Sequence, residues 1–197
     1  MSANIAAIER VWEAHTAAEF VSADVDAAMA TMTDEPVVLH VPTSIGARGR
    51  TAVRRFYGDH FIGHQARDMQ LELVSRTATV DRVVDEMMIS FTHDVEIPWV
   101  LPGLAPTGRR VVVPLVAVVG VRDGLIDSEH IYWDQSSVLA QVGLLDPTGL
   151  PVTGAEQVKP LAEDAGSELF NPSSQPPGPT LDRPDAVRSL SGSQTCQ

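Results

Sequence analysis

Cysteine is nearly absent from this chain, since Cys196 is the only one in 197 residues. A single thiol excludes an internal disulfide framework and a metal centre built from several cysteines. Long apolar runs are also missing, because none reaches the ~20 residues that a membrane-spanning helix needs. The N-terminal residues lack a basic stretch followed by an apolar core, which is the pattern of a secretory signal. We therefore expect a cytoplasmic protein.

Positive charge is scarce as well. The chain carries 14 Lys and Arg residues against 26 Asp and Glu residues, which gives a formal net charge of −12. This charge repels a phosphate backbone or an anionic membrane surface, and the basic residues form nothing larger than pairs such as Arg54-Arg55. We therefore expect neither nucleic acid nor a membrane as a partner.

The composition divides the chain near residue 150. Seven of the 14 prolines lie beyond that point, and Phe170 is the only aromatic residue there. We assign residues 1–150 to one folded domain and residues 151–197 to a proline-rich extension. Within the extension, residues 153–165 are compatible with a short helix, and residues 171–179 are typical of an extended or disordered segment.

The apolar periodicity of residues 1–150 predicts an α+β domain. Its strands form a meander, and the last two are joined by the hairpin signal Asp123-Gly124. We expect a curved antiparallel sheet wrapped around N-terminal helices. The predicted helices are 4–20, 24–32 and 50–61, and the predicted strands are 36–41, 69–79, 82–95, 109–122 and 129–134, with a loop at 44–49.

Alternation along the strands predicts which side chains face a common pocket. On the strand 82–95, one face carries Asp85, Met87, Ile89, Phe91 and His93. On the last strand, Glu129, Ile131 and Trp133 share a face. The first helix brings Trp12, His15 and Glu19 to one side, because they recur at helical spacing. We expect the pocket to collect His93, Glu129, Trp133 and His40, with the helix residues across from them.

Several motifs of the chain resemble a known family. The segment from Gly124 through Tyr132-Trp133-Asp134 to Leu139-Ala-Gln141-Val-Gly143-Leu resembles the SnoaL-like polyketide cyclases of the nuclear transport factor 2-like superfamily. Two further segments resemble the limonene-1,2-epoxide hydrolase branch. These are His40-Val41-Pro42 through Gly49-Arg50-Thr51, and Thr107-Gly108-Arg109 continuing to Asp134. The resemblance covers roughly residues 4–145.

The resemblance implies a cone-shaped fold, the cystatin-like α+β barrel, with a deep apolar pocket and a homodimer paired through the sheet. It also implies a small-molecule substrate. The water-activating set of the epoxide hydrolases is not carried over. Its Asn and Tyr positions match His40 and Val38, its Arg position matches Phe91, and its two Asp positions match His93 and Ile131. Two histidines therefore stand where that set would be, as in the two-histidine pocket of scytalone dehydratase.

We expect cofactor-free general acid–base catalysis of cyclisation, isomerisation or dehydration on an apolar ring compound. One of His40 and His93 would be the base and the other the acid, with Glu129 or Glu19 setting the tautomer. Asp134 is the match to the pocket aspartate of the SnoaL-like cyclases. The expected substrate-binding residues are Trp12, His15, Tyr57, Met87, Phe91, Val113, Leu115, Ile131 and Trp133.

Other interpretations of the same residues stay open. His15 and Glu19 are spaced to pair with each other, and Asp134 is placed to cap a helix that begins at Gln135. A metal site made of histidines and Glu19 is chemically conceivable, but no His-x-x-x-His spacing supports it, and we expect no metal. At the level of function, the alternatives are a non-catalytic ligand-binding or dimerisation module and an epoxide hydrolase with another water-activating set.

Overall fold

The structure is a computed structural model and describes residues 2–161 of the chain. The expected low-complexity segment 171–179 lies outside the described residues. No helix among those described is both long and apolar enough to span a bilayer. The helices are α1 (Ser2–Phe20), α2 (Val25–Ala30), α3 (Arg50–Phe56), which continues as a π-helical turn (Tyr57–Phe61), α4 (Gln135–Gln141) and a 3-10 helix (Ala155–Leu161). The strands are β1 (Met32–His40), β2 (Ile45–Arg48), β3 (Gln70–Ala78), β4 (Arg82–Thr92), β5 (Arg110–Arg122) and β6 (Leu125–Trp133).

The six strands form one open, curved sheet in the order β2-β1-β6-β5-β4-β3. The expected α+β class and the meander from β3 to β6 are confirmed. The sheet is not wholly antiparallel, however, because β1 lies parallel to β6. The prediction of a loop at residues 44–49 is wrong, because this segment contains β2, which pairs with β1. A Cβ on Gly46 would lie 2.0 Å from the carbonyl oxygen of Val38, so this short strand depends on a glycine that the sequence analysis assigns to a loop.

The inner face of the sheet is built by strict alternation. Every second residue of β4 from Val83 to Phe91 and of β5 from Val111 to Val121 is buried. The predicted inner face of α1 is also confirmed, because Trp12, His15 and Glu19 are at most 3% exposed. The hydrophobic core therefore lies between this face of α1 and the concave side of the sheet.

The end of α3 widens into a π-helical turn in which Ile62 donates its backbone N–H to the carbonyl oxygen of Tyr57 over 2.8 Å. The three residues between Tyr57 and Phe61 are exposed, while both aromatic side chains are buried. π-Helical turns are frequent at functional sites. Here the turn directs Tyr57 and Phe61 towards the same interior.

A side chain replaces a missing strand at one end of β5. β6 ends at Trp133, which is paired with Leu115, so residues of β5 before that point lack a partner on this side. Gln141 of α4 fills the gap, because its Oε1 accepts from the Val112 N–H over 2.8 Å and its Nε2 donates to the Val112 carbonyl over 2.9 Å. α4 is thereby fixed to the sheet.

Replacing Gln141 by Leu is expected to lower the free energy of unfolding by about 1–3 kcal/mol, because both polar backbone groups of Val112 lose their partner. Urea denaturation measures the change. The matched control is Gln70→Leu at an exposed strand end, with an expected change of about 0.5 kcal/mol or less. Equal stabilities of the two variants would show that the Gln141 amide does not support the sheet.

Candidate functional site

A cavity of about 620 Å³ lies between α1, the concave face of the sheet and the segment that follows the π-helical turn. Its mouth is marked by exposed lining residues, among them Glu13 and Ala17 on α1, Val21 directly after this helix and Leu73 on β3. β3 is an edge strand, and its register shifts next to Leu73. The walls are largely apolar, whereas the inner end carries carboxylates.

Four buried side chains meet at this inner end, and we call His15, Glu19, Tyr57 and Glu129 the buried quartet. Nε2 of His15 lies 3.1 Å from Glu19 Oε1, 3.0 Å from Glu129 Oε1 and 3.1 Å from the Tyr57 hydroxyl. Tyr57 donates its hydroxyl proton to Glu129 Oε1 over 3.1 Å. Glu19 and Glu129 line the cavity, and His15 and Tyr57 lie behind them.

The quartet is electrostatically self-consistent. Burial disfavours the His15 imidazolium, but the adjacent carboxylates of Glu129 and Glu19 outweigh this effect and hold the His15 pKa well above its ordinary value. Burial, together with the charge of Glu129, raises the pKa of Glu19. Burial also raises the Tyr57 pKa, so this residue is a neutral hydrogen-bond donor. When Glu19 keeps its proton, the positive charge of the His15 imidazolium is balanced by the negative charge of one carboxylate. No buried charge is then left unpaired.

His40 also lines the cavity, but its chemistry differs from that of His15. Burial lowers the pKa of His40 to about 4 despite the charge of Glu129. The ring packs among aromatic side chains, with centroid distances of 5.0 Å to Trp99 and 5.4 Å to Phe61. Nδ1 donates to the Ile45 carbonyl over 3.3 Å, so Nε2 carries the lone pair. His40 is therefore a neutral hydrogen-bond acceptor at physiological pH.

A second polar cluster lies nearer the mouth. Asp85 on β4 is buried and accepts from Trp12 Nε1 over 2.7 Å. It also accepts two hydrogen bonds from Arg76, from Nε over 2.8 Å and from Nη2 over 2.9 Å. Arg76 Nη1 reaches Glu13 over 2.8 Å. Sequence reasoning places Asp85 on the inner face without a role and misses Arg76. The cross-strand register, in which Arg76 stands opposite Asp85, is the signal that would have identified the pair.

The structure brings some of the predicted site residues together and separates others. Glu19, Glu129 and His40 line the cavity, as do four predicted substrate-binding residues, Trp12, Met87, Leu115 and Ile131. The remaining predicted residues do not line it, and these are His15, Tyr57, Phe91, His93, Val113, Trp133 and Asp134. Alternation identifies the correct face of each strand, but the cavity occupies only part of that face.

His93 follows the last residue of β4 and does not join His40 in the cavity. Its Nδ1 accepts from the Thr107 backbone N–H over 3.4 Å, and its backbone pairs with Gly108 and Arg109. His93 therefore closes the base of the loop between β4 and β5. Its buried Nε2 has no hydrogen-bond partner among the residues that the structure describes. His40 and His93 therefore do not share the cavity, in contrast to the expected two-histidine pocket.

Asp134 and Trp133 also lie elsewhere than expected. Asp134 caps α4, since its carboxylate accepts from the backbone N–H groups of Ser136 and Ser137. Burial opposes ionisation of Asp134, but the hydrogen bonds from Ser136 and Gln157 outweigh it and lower the pKa. Trp133 packs edge-to-face on Trp99 with centroids 5.9 Å apart. Of the two interpretations of Asp134, the structure shows the helix cap.

His15, Glu19 and Glu129 are the one group within residues 2–161 whose atoms lie close enough together to hold a metal ion. Their separations of 3.0–3.1 Å are hydrogen-bond distances. The Nε2–H of His15 and the hydroxyl of Tyr57 supply protons for hydrogen bonds at these distances, so the quartet is a hydrogen-bonded network.

An open curved sheet, packed on N-terminal helices around a cavity, defines the nuclear transport factor 2-like class of α+β domains. A family model for the SnoaL-like domain matches residues 11–129, and the chain belongs to this family. The resemblance to the SnoaL-like family is therefore confirmed. A search of curated proteins found no significant match.

Solved structures with the same fold are distant in sequence. A proposed polyketide cyclase from Xanthomonas campestris pv. campestris is 25% identical with a TM-score of 0.53, covering 71% of this chain and 99% of its own. A proposed hydroxylase from Streptomyces galilaeus is 22% identical with a TM-score of 0.55, covering 72% and 88%. A hypothetical protein with a ketosteroid isomerase-like fold from Catenulispora acidiphila is 18% identical with a TM-score of 0.52, covering 68% and 93%. Such similarity establishes the fold and leaves the reaction open.

The replacement Glu129→Gln is expected to lower the pKa of His15, because it removes the largest interaction that favours the imidazolium. A folded pKa above the ordinary value of 6.5 gives stability that is present below pH 6.5 and lost as pH rises through the folded pKa. The free energy of unfolding of the wild type should therefore fall as the pH rises from 6.5 through the folded pKa of His15, and that of the variant should fall less.

NMR titration of the His15 ring and urea denaturation as a function of pH measure these two effects. Glu13→Gln at the exposed mouth is the control and should leave the His15 titration unchanged. An identical His15 titration in wild type and Glu129→Gln would refute the electrostatic account of the quartet.

Proposed function

We propose that this protein is an enzyme that catalyses cyclisation, isomerisation or dehydration of a small, largely apolar ring compound by general acid–base chemistry without a cofactor. The observation that carries the proposal is the pair of buried carboxylates, Glu19 and Glu129, at the inner end of an apolar cavity. Burying two carboxylates costs several kcal/mol unless they are paired, and here they share one imidazole. Such a group is more than the fold alone requires.

The two carboxylates have different environments, which is what acid–base catalysis needs. Glu129 Oε1 accepts a hydrogen bond from the Tyr57 hydroxyl, and we assign Glu129 the role of the base. Burial shifts Glu19 towards its protonated form, which suits an acid. In the proposed reaction Glu129 accepts a proton from the substrate, and Glu19 donates one to a substrate oxygen.

His15 would restore the starting state. Its Nε2 lies between the two carboxylates, 3.1 Å from Glu19 and 3.0 Å from Glu129. After the reaction Glu129 holds the proton that Glu19 has lost. Nε2–H of His15 passes its proton to Glu19, and Glu129 returns one to Nε2, so that no net proton is gained or lost by the enzyme. This assignment moves the chemistry away from the expected pair of His40 and His93.

The cavity walls support an oxygen-bearing ring compound as substrate. Trp12, Phe61 and Trp99 supply flat apolar surfaces. Gln65 and Trp99, which also line the cavity, each carry a buried N–H group without a partner in the described part of the chain. An unpaired buried donor costs about 1–3 kcal/mol, so a carbonyl or hydroxyl oxygen of a substrate is its natural complement. The Nε2 lone pair of His40 offers a matching acceptor for a hydroxyl group.

Proton abstraction can be tested before the natural substrate is known. 2-Tetralone in D₂O exchanges its α-protons with solvent, and NMR measures the rate. We expect the protein to accelerate exchange, and Glu129→Gln to slow the catalysed rate by roughly 10²–10⁴-fold, as loss of a positioned base does. Binding of 2-tetralone, measured by ligand-observed NMR, should change little.

Glu13→Gln is the matched control, because Glu13 lines the mouth and is 61% exposed. Loss of exchange in Glu129→Gln with the control intact supports the enzyme. Tight binding with no exchange catalysed by any form would favour the ligand-binding module. Full exchange activity in Glu129→Gln would overturn the assignment of Glu129 as the base.

We also propose a homodimer through the outer face of the sheet. Tyr132 on β6 is 42% exposed there and stands opposite Val116 of β5 in the register. Val118 and Pro114 continue this half-buried apolar surface along β5. A twofold pairing of the same surface would cover it.

Light scattering should give twice the chain mass of 21.2 kDa for the wild type and a single chain mass for Tyr132→Glu. Val80→Glu, in an exposed turn away from the sheet face, should remain dimeric. A wild type with the mass of a single chain would contradict the proposed homodimer.

A further inference from the structure

A threonine outside the cavity holds the far side of the His15 ring. Thr31 is the C-cap residue of α2, and its Oγ1 lies 2.6 Å from Nδ1 of His15. The Thr31 backbone also joins the sheet, because Ile126 donates its N–H to the Thr31 carbonyl over 2.8 Å. Thr31 therefore connects the ring to both a helix end and the start of β1.

The direction of this hydrogen bond follows from the second contact of the hydroxyl. Thr31 donates its only hydroxyl proton to the Ala28 carbonyl over 2.7 Å. A carbonyl oxygen can only accept, so Oγ1 has nothing but lone pairs left for His15. Nδ1 of His15 must then be the donor, and it carries a proton in both charge states of the ring.

We propose that Thr31 is a positioning residue that keeps a proton on Nδ1 of His15 and so restricts proton exchange to Nε2. Nε2 is the nitrogen that faces Glu19 of α1, Glu129 of β6 and Tyr57 of the π-helical turn. The catalytic consequence rests on the function proposed above, in which both proton transfers of His15 use Nε2. The tautomer itself does not depend on that function.

The ring is held in this orientation from a further side. Trp12 stacks on His15 with ring centroids 5.8 Å apart and an interplanar angle of 17°. A flip of the imidazole would place a carbon atom against Thr31 and remove Nε2 from the carboxylates. Stacking fixes the ring plane, and Thr31 fixes which edge faces the quartet.

The wild-type protein provides the first test. Long-range ¹H–¹⁵N NMR of protein labelled at histidine nitrogens reports the tautomer once His15 has been titrated to its neutral form. We expect a protonated Nδ1 and a bare Nε2. A protonated Nε2 in the neutral form would overturn the proposal without any variant being needed.

The replacement Thr31→Val removes the acceptor at nearly constant volume, whereas Thr31→Ser keeps it. A hydrogen bond to a charged group is worth enough to move a titration by about one pH unit or more. We therefore expect the His15 midpoint to fall by that amount in Thr31→Val and the neutral form to become a mixture of tautomers. Thr31→Ser should restore both properties. An unchanged midpoint and tautomer in Thr31→Val would contradict the role of Thr31.

The two proposals fail in different measurements. If Thr31→Val changes the tautomer and the exchange of 2-tetralone slows roughly tenfold, with rescue by Ser, both are supported. If the tautomer changes while exchange continues at the wild-type rate, Thr31 positions the ring, but His15 is not the relay of the proposed reaction. That outcome would refute the relay and leave the inference about Thr31 intact.

Discussion

The constraint on which this structure depends is the neutrality of charges that are removed from water. His15, Glu19 and Glu129 are each at most 3% exposed, so none of them is tolerable alone. They come from α1 and β6, and Tyr57 joins them from the end of α3. The site is therefore complete only when a helix, a strand and the π-helical turn meet. A fold that misplaced one of these elements would leave a buried charge without its partner. An apolar core would hold these elements together equally well, so stability alone does not require these charges.

A second buried charge is also compensated by its neighbours, at the opposite end of the cavity near the mouth. Asp85 receives two hydrogen bonds from Arg76 and one from Trp12, so its charge is compensated close to the mouth. Trp12 connects the two clusters, because its indole N–H reaches Asp85 while its ring stacks on His15. Between the clusters the walls are mainly apolar, and the low local dielectric strengthens each polar contact that a ligand makes there. Helix α1 thus positions both ends of the cavity through a single face.

Much of this arrangement was predictable from the sequence, because local rules determine it. Spacing along α1 identified Trp12, His15 and Glu19, and alternation along the last strand identified Glu129. Alternation failed for His93 and Trp133, since it gives the face of a side chain but not its position relative to a cavity that covers part of that face. β2 was missed because its pairing depends on the close approach of Gly46 to β1, which is a tertiary contact. The roles of Tyr57, Arg76 and Thr31 likewise arise from contacts between distant parts of the chain.

The positions that match the epoxide hydrolase pattern show why family membership does not settle the reaction. Val38 and Ile131 stand where that pattern has polar groups, and both are apolar walls of the cavity. Phe91, at the position of its arginine, is buried in the core. Of the matched positions only His40 and His93 are polar, and of these two only His40 lines the cavity, whereas the buried carboxylates lie on α1 and at Glu129. The same fold can therefore keep an apolar cavity while the titratable groups around it change, and under the function proposed above this would change which atom of a substrate gains or loses a proton.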